Sequence, residues 1–126
     1  MDAKVVLIVD SDLGFVFWLG QALQRAKYVA VPARTCPDAI SLVSELKIDP
    51  DLLIVNVALP DAAGLAESLR RSNPRLKVIA LVERGQESGA LGGNVALKFK
   101  PAAWEDVSPL EWLGLPAALL DDSLIH

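Results

Sequence analysis

The chain has 126 residues, 52% of them hydrophobic and 22% charged, and it carries a net charge of −4. These values predict one globular domain with a single core, and they exclude an intrinsically disordered chain. An acidic chain without a basic run is a poor candidate for direct nucleic acid binding, and no apolar stretch is long enough to span a bilayer.

Histidine and cysteine each occur once, as His126 and Cys36. An internal disulfide is therefore impossible, and a His-based catalytic triad or a His-rich metal site is not expected. Arg34 is the basic neighbour of Cys36, which favours an inert thiol over a reactive one. The N-terminal segment MDAKVVLIVD lacks the cleavage pattern of a signal peptide, so we expect a cytoplasmic location.

Five apolar runs have the length and composition of β-strands. They are Lys4–Val9, Tyr28–Ala33, Leu52–Val57, Leu76–Val82 and Val95–Phe99. Segments with helical spacing of apolar residues lie between the first four runs, at Leu13–Lys27, Cys36–Lys47 and Ala62–Ser72. Nearly continuous apolar strands that alternate with helices predict an α/β fold, in which a five-stranded parallel sheet has helices on both sides.

The last third of the chain is less regular. Arg84–Gly93 contains four glycines in ten residues, and each glycine inside a helix costs about 1 kcal/mol relative to alanine, so a long helix is not expected there. Ser108–Glu111 has the residues of a capping box, but Gly114 and Pro116 should end that helix early.

We expect one domain over residues 1–126, with its core in 4–101 and an irregular segment in 102–126. The polar residues of interest follow the predicted strands. Asp10 and Asp12 come after the first, Asn56 lies on the third, and Lys100 follows the fifth. The carboxyl ends of parallel strands meet at one edge of a sheet, so these side chains should converge there.

From Val5 to Pro101 the chain resembles the receiver domain of two-component response regulators. The motifs that carry the resemblance are VVLIVDSD, DLLIVNVALPDAAGL, LKVIALVERG and KFKP, in the order in which that family has them. The resemblance implies a flavodoxin-like (CheY-like), doubly wound sandwich. Only 17 residues lie between Val82 and Lys100, fewer than receivers usually have, which implies that helix four is truncated.

In that family an aspartate at the Asn56 position accepts the phosphoryl group, and two acids after strand one bind Mg²⁺ with it. Here the acceptor position carries an amide, which is a very weak nucleophile. Ser11 takes the place of the second acid, so at most weak Mg²⁺ binding at Asp10 is expected. No other cofactor or metal is expected.

The positions that read out phosphorylation also depart from the family pattern. Val82 stands where a Ser or Thr ends strand four, and Leu97 stands where the family often has a switch aromatic. Asp10, Lys100 and Pro101 match the pattern. The combined losses favour a degenerate receiver, without enzyme activity, that acts as a phosphorylation-independent interaction module in bacterial signalling or transcription control. The alternative is a receiver still regulated by a ligand or by phosphorylation at a non-standard group.

As partners we expect another protein or a second copy of the chain, and the domain could be fused to, or cut from, a larger regulator. Two interpretations of Asn56 stay open. It imitates the acceptor, with a hydrogen bond to Lys100, or it is a polar remnant that satisfies neighbouring groups. Lys100 either binds an anion or is neutralised by Asp10. Asp12 either binds a cation weakly or caps the first helix, a function that Ser11 could also serve.

The aromatic residues have two interpretations as well. Trp104 and Trp112 either mark a contact surface or cover the sheet in place of helix four. Trp18 lies on the core face of the first helix, while Phe17 falls on its polar face and should be exposed.

Overall fold

The computed structural model describes residues 3–83, 95–101 and 103–108, together with positions 111, 112, 114, 116 and 120. The strands are β1 (Val5–Val9), β2 (Val29–Ala33), β3 (Leu52–Asn56), β4 (Lys77–Val82) and β5 (Ala96–Phe99). The helices that link the first four strands are α1 (Leu13–Arg25), α2 (Cys36–Leu46) and α3 (Ala62–Ser72). A 3-10 turn, Trp104–Asp106, follows β5.

All four strand pairings are parallel, and the strand order is β2-β1-β3-β4-β5. The predicted five-stranded parallel sheet is therefore confirmed. β1, β3 and β4 lie inside the sheet, which is why their sequences are almost continuously apolar. The edge strand β2 contains Pro32, and the absence of its N–H is tolerated best at an edge.

Successive strand residues point to opposite faces, so the sheet has two cores. On one face, Leu7 and Val9 pack with residues of α2 and α3. On the other face, Val6 and Ile8 pack with α1 and with Trp112. The helices thus cover both faces, as the alternation of strand and helix predicted.

Two helices begin at the caps that their sequences offer. Asp12 accepts a hydrogen bond from the Phe15 N–H at the start of α1. Thr35 accepts one from the Asp38 N–H at the start of α2. Asp12 is therefore the residue that caps the first helix, and this cap sets its side chain beside the carboxyl end of β1.

The prediction that Gly114 and Pro116 end a short helix is wrong. Both residues are helical, as are Glu111, Trp112 and Leu120. Trp112 and Leu120 are buried against the α1 side of the sheet. Burial of large apolar side chains contributes more than the roughly 1 kcal/mol that one glycine costs a helix, so tertiary packing overrides propensity here.

The glycine-rich segment Arg84–Gly93 lies outside the described residues, and the truncation of helix four stays a prediction. None of the helices in the described part of the chain has both the length and the hydropathy needed to cross a membrane.

Candidate functional site

Polar side chains from four strand ends meet at one edge of the sheet. Asp10, Asn56 and Lys100 are 1%, 3% and 5% exposed. The backbone continues the sheet past the strands, because the Lys100 N–H donates to the Val82 carbonyl at 2.9 Å. The sequence predicted this convergence, and the parallel register produces it.

Asp10 and Lys100 form a buried ion pair. The Lys100 ammonium lies 3.0 Å from Oδ2 of Asp10 and 4.5 Å from the centre of the Phe15 ring. The other Asp10 oxygen, Oδ1, accepts the Asp12 N–H at 3.0 Å. A buried lysine needs such a counter-charge, and this arrangement matches the interpretation in which Asp10 neutralises Lys100.

Asn56 bridges two carboxylates through its amide nitrogen. Nδ2 donates to Oε2 of Glu83 at 2.9 Å and to Oδ2 of Asp10 at 3.3 Å. Its Oδ1 accepts the Ala58 N–H at 2.9 Å. Both ends of the amide thus have hydrogen-bond partners. Its nitrogen donates to the two carboxylates rather than forming the bond with Lys100 that was suggested from the sequence.

Glu83 is a site residue that the strand-end motifs of the sequence did not indicate. It directly follows β4, at the same edge as the other strand-end residues. Its position could have indicated this role, since an acid that directly follows a buried parallel strand lies at the same sheet edge as the other strand-end residues. Its hydrogen-bond partner, Asn56, lies 27 positions earlier in the chain, so the contact can be seen only in the folded structure.

Asp12 connects the C-terminal segment to the polar cluster, which consists of Asp10, Asn56, Glu83 and Lys100. Its Oδ2 accepts the indole N–H of Trp104 at 3.1 Å and lies 3.4 Å from the Lys100 ammonium. Burial raises the pKa of this carboxyl, but the Phe15 N–H, the charge of Lys100 and the Trp104 N–H outweigh it, and the pKa falls below its ordinary value. Asp12 is therefore held as a carboxylate.

The other positions singled out from the sequence are three that depart from the family pattern, Ser11, Val82 and Leu97, and one that matches it, Pro101. Ser11 is exposed, beside the cluster. Val82 is half-buried at the end of β4 and offers only methyl groups. Leu97 lies on β5 with 55% of its surface exposed. Pro101 follows Lys100 and is half-buried.

Four aromatic rings pack beside the polar cluster. The Phe15 ring centre is 6.2 Å from that of Trp18, 5.6 Å from that of Trp104 and 5.3 Å from that of Trp112. Trp112 is 3% exposed, and Lys98 lies 5.1 Å above its ring. These contacts favour the interpretation that Trp104 and Trp112 cover the sheet. Phe17, on the outer side of α1, is 58% exposed, as predicted.

The donor set does not resemble a metal centre. Across the described residues, no group of three or more His, Cys, Asp or Glu side chains is arranged to hold a metal ion. The Asp10 oxygens face an ammonium, an amide and a backbone N–H, all of which are donors. A hard cation would have to displace them, because it needs the same oxygen lone pairs.

The geometry is consistent with what the comparisons with known proteins show. This structure is similar to that of a CheY-like receiver domain protein from Methanospirillum hungatei JF-1, with a TM-score of 0.74, 21% identity and coverage of 99% of this chain and 100% of that one. It is similar to a response regulator receiver protein from Sinorhizobium medicae WSM419, with a TM-score of 0.77, 12% identity and coverage of 96% and 97%.

NtrX from Brucella abortus, solved in complex with ADP, is also similar, with a TM-score of 0.75 and 16% identity. The match covers 98% of this chain but 28% of NtrX. No curated protein sequence matches the chain. The model of the response regulator receiver domain matches residues 6–93, well over half of the chain. The chain therefore belongs to the receiver domains of response regulators, the signalling modules of two-component systems.

Proposed function

We propose that this receiver is degenerate and acts as a phosphorylation-independent protein-interaction module. The observation that carries the proposal is the state of residue 56. It is an asparagine, and its amide nitrogen is shared between the carboxylates of Asp10 and Glu83. A neutral amide in that position lacks the negative charge that makes an aspartate carboxylate a nucleophile toward phosphorus.

The surrounding residues support the same conclusion. Lys100, which would offset the charge of a phosphoryl group, is paired with Asp10 at 3.0 Å. Ser11 provides no second acid for Mg²⁺, and Val82 provides no hydroxyl. We therefore propose that the domain needs no metal or other cofactor, and that any Mg²⁺ at Asp10 binds weakly, since the cation would compete with the buried ammonium.

An exposed apolar pair is available for a protein contact. Leu97 and Phe99 are each 55% exposed, and they lie two residues apart on β5, so they share one face of an edge strand. We propose that the domain works through a protein partner or a second copy of itself, in the cytoplasm and without catalysis. Like the matching part of NtrX, it would serve as one portion of a larger regulator.

The experiment that tests this proposal is incubation with acetyl phosphate and saturating Mg²⁺, followed by intact-mass measurement. A receiver that retains its acceptor aspartate serves as the positive control. The natural chain should gain no phosphoryl group. A stable gain would overturn the proposal, and peptide mapping would then locate a non-standard acceptor, as the alternative of a still-regulated receiver requires.

A second experiment restores the lost groups. The variant Ser11→Asp/Asn56→Asp/Val82→Thr returns the second acid, the acceptor and the hydroxyl together. It should bind Mg²⁺ more tightly than the natural chain, because carboxylate oxygens are the ligands that this cation prefers. If the natural chain and this variant bind Mg²⁺ equally, as measured by titration calorimetry, the account of the lost site is wrong.

A further inference from the structure

Glu83 occupies the space beside the side-chain end of residue 56. Its Oε2 lies 2.9 Å from Nδ2 of Asn56, the shortest contact that this amide nitrogen makes in the cluster. The two residues belong to neighbouring strands, because Asn56 ends β3 and Glu83 follows β4. The contact thus ties together the carboxyl ends of two adjacent strands.

The other directions around the Asn56 side chain are occupied as well. Its Oδ1 faces the Ala58 N–H at 2.9 Å, and Asp10 lies 3.3 Å from Nδ2 on the other side. Any group attached to the end of residue 56 must lie within bonding distance of one of these two terminal atoms. On the Nδ2 side, that space is held by the carboxylate of Glu83.

We propose that Glu83 is an autoinhibitory residue. Its carboxylate occupies the place at residue 56 that a transferred phosphoryl group would need, and it holds the site in one state. This inference rests on the proposed function and deepens it. The site is closed by two independent means: the missing nucleophile at position 56, and an anion built into the chain beside it.

The negative charge of Glu83 opposes a phosphoryl group, as its bulk does. A phosphoryl donor is an anion. Lys100, 3.0 Å from Asp10, offsets the charge of that acid, but Glu83 adds a further carboxylate 2.9 Å from Nδ2 of Asn56. A like charge so close raises the energy of the approaching donor. The hydrogen bond from the amide to a carboxylate is charge-assisted, so it fixes the Glu83 side chain more firmly than a neutral contact would.

Because Glu83 blocks the site, restoring the acceptor aspartate should not by itself restore full reactivity toward a phosphoryl donor. In the variant Ser11→Asp/Asn56→Asp/Val82→Thr, a carboxylate oxygen of the introduced aspartate would attack the phosphorus of acetyl phosphate. The bond from phosphorus to the acetate oxygen would break, and acetate would leave with the electron pair. Glu83 would oppose this step in the restored site. The amide that holds its carboxylate is gone there, but residue 56 stays paired with Leu81 of β4, so the acid stays next to the acceptor and its bulk and charge face the incoming phosphoryl group.

The test adds Glu83→Ala to that triple variant and compares initial rates of phosphorylation at saturating Mg²⁺ by intact-mass measurement. Glu83→Ala should raise the rate at least tenfold. Glu67→Ala in the same background is the matched control, because Glu67 lies on the surface of α3 in an ion pair with Arg71, and it should leave the rate unchanged. Equal rates with and without Glu83, or no reaction in either variant, would overturn the proposal.

A measurement on the natural chain keeps the contact testable without any reaction. The side-chain amide resonances of Asn56 and the backbone resonance of Ala58 should shift on Glu83→Ala in ¹H–¹⁵N spectra, and they should stay in place on Glu67→Ala. Unchanged Asn56 resonances would refute the contact. Phosphorylation of the natural chain would instead refute the proposed function, so the two failures are distinguishable.

Discussion

The indole nitrogen of Trp104 donates a hydrogen bond to the carboxylate of Asp12, at 3.1 Å and across 92 positions of the sequence. Asp12 also caps α1 and lies 3.4 Å from the Lys100 ammonium. One side chain therefore connects the first helix, the buried ion pair and the C-terminal segment. Substitution of Asp12 should therefore affect the stability of all three.

The hydrogen bond between Asp12 and Trp104 should appear as an energetic coupling. Asp12→Asn keeps a cap oxygen but removes the charge, and Trp104→Phe keeps a ring but removes the N–H. Each substitution should lower the free energy of unfolding by about 1 kcal/mol, after a discount for the partial exposure of Asp12. The double variant should lose less than the sum of the two in urea unfolding. Strict additivity would show that the pair is not coupled.

The stability should depend on pH through Asp12. Its pKa is lowered in the folded state, because burial, which raises it, is outweighed by the Phe15 N–H, Lys100 and the Trp104 N–H. The carboxylate therefore stabilises the fold above its unfolded value of 3.8, and this contribution is lost as the pH falls through the lower folded value. The stability difference between the natural chain and Asp12→Asn should shrink when the pH is taken below about 4. A difference that stays constant from neutral pH down to well below about 4 would contradict this assignment.

Asn56→Asp should destabilise the protein in the absence of metal. The substitution replaces a donor shared by two carboxylates with a third carboxylate, and it should cost about 1–3 kcal/mol of unfolding free energy. Mg²⁺ should recover more stability in this variant than in the natural chain, because three acids then face one another. Thermal unfolding with Mg²⁺ and with a chelator measures both effects.

Asn73→Asp is the matched control for that experiment. Asn73 is also a partly buried amide, but its nitrogen donates to the Pro50 carbonyl and its oxygen accepts the Arg75 N–H. Its substitution should lower stability without a response to Mg²⁺. An equal response of the two variants would mean that the cation acts elsewhere.

Trp112 should be a determinant of stability, whereas Phe17 should not. Trp112 is 3% exposed and packs on Phe15, while Phe17 is 58% exposed on the same side of the molecule. Trp112→Ala should cost about 3–5 kcal/mol through the cavity it leaves. Phe17→Ala should change the free energy of unfolding by about 0.5 kcal/mol or less. Urea unfolding compares them, and similar losses would contradict the placement of Trp112 in the core.

Cys36 should resist alkylation in the folded protein. The thiol is buried, and burial together with the charge of Asp61 raises its pKa above the ordinary value. Since the thiolate is the reactive form, iodoacetamide should label Cys36 slowly at neutral pH and quickly in urea. Fast labelling of the folded chain would show that the thiol is accessible.

Much of the fold followed from local patterns. Runs such as Leu52–Val57 are apolar on both faces because the strand is covered on both faces, and the alternation with helices left few alternatives to a parallel sheet. Asp12 was readable as a cap from its position before an apolar helix. The C-terminal helix was misjudged at Gly114 and Pro116, since its formation depends on burial against α1, which no local pattern records.

The groups that this site lacks follow directly from the identity of its residues. Asparagine at position 56, Ser11 and Val82 are properties of the residues, and no folding changes an amide into a nucleophile. The contacts of the remaining groups, in contrast, depend on the folded chain. Asp10, Glu83 and Lys100 lie far apart in the sequence. The parallel register brings Glu83 to the amide of Asn56 and Lys100 to the carboxylate of Asp10. Long-range contacts of this kind depend on strand order and register, which single residues do not encode.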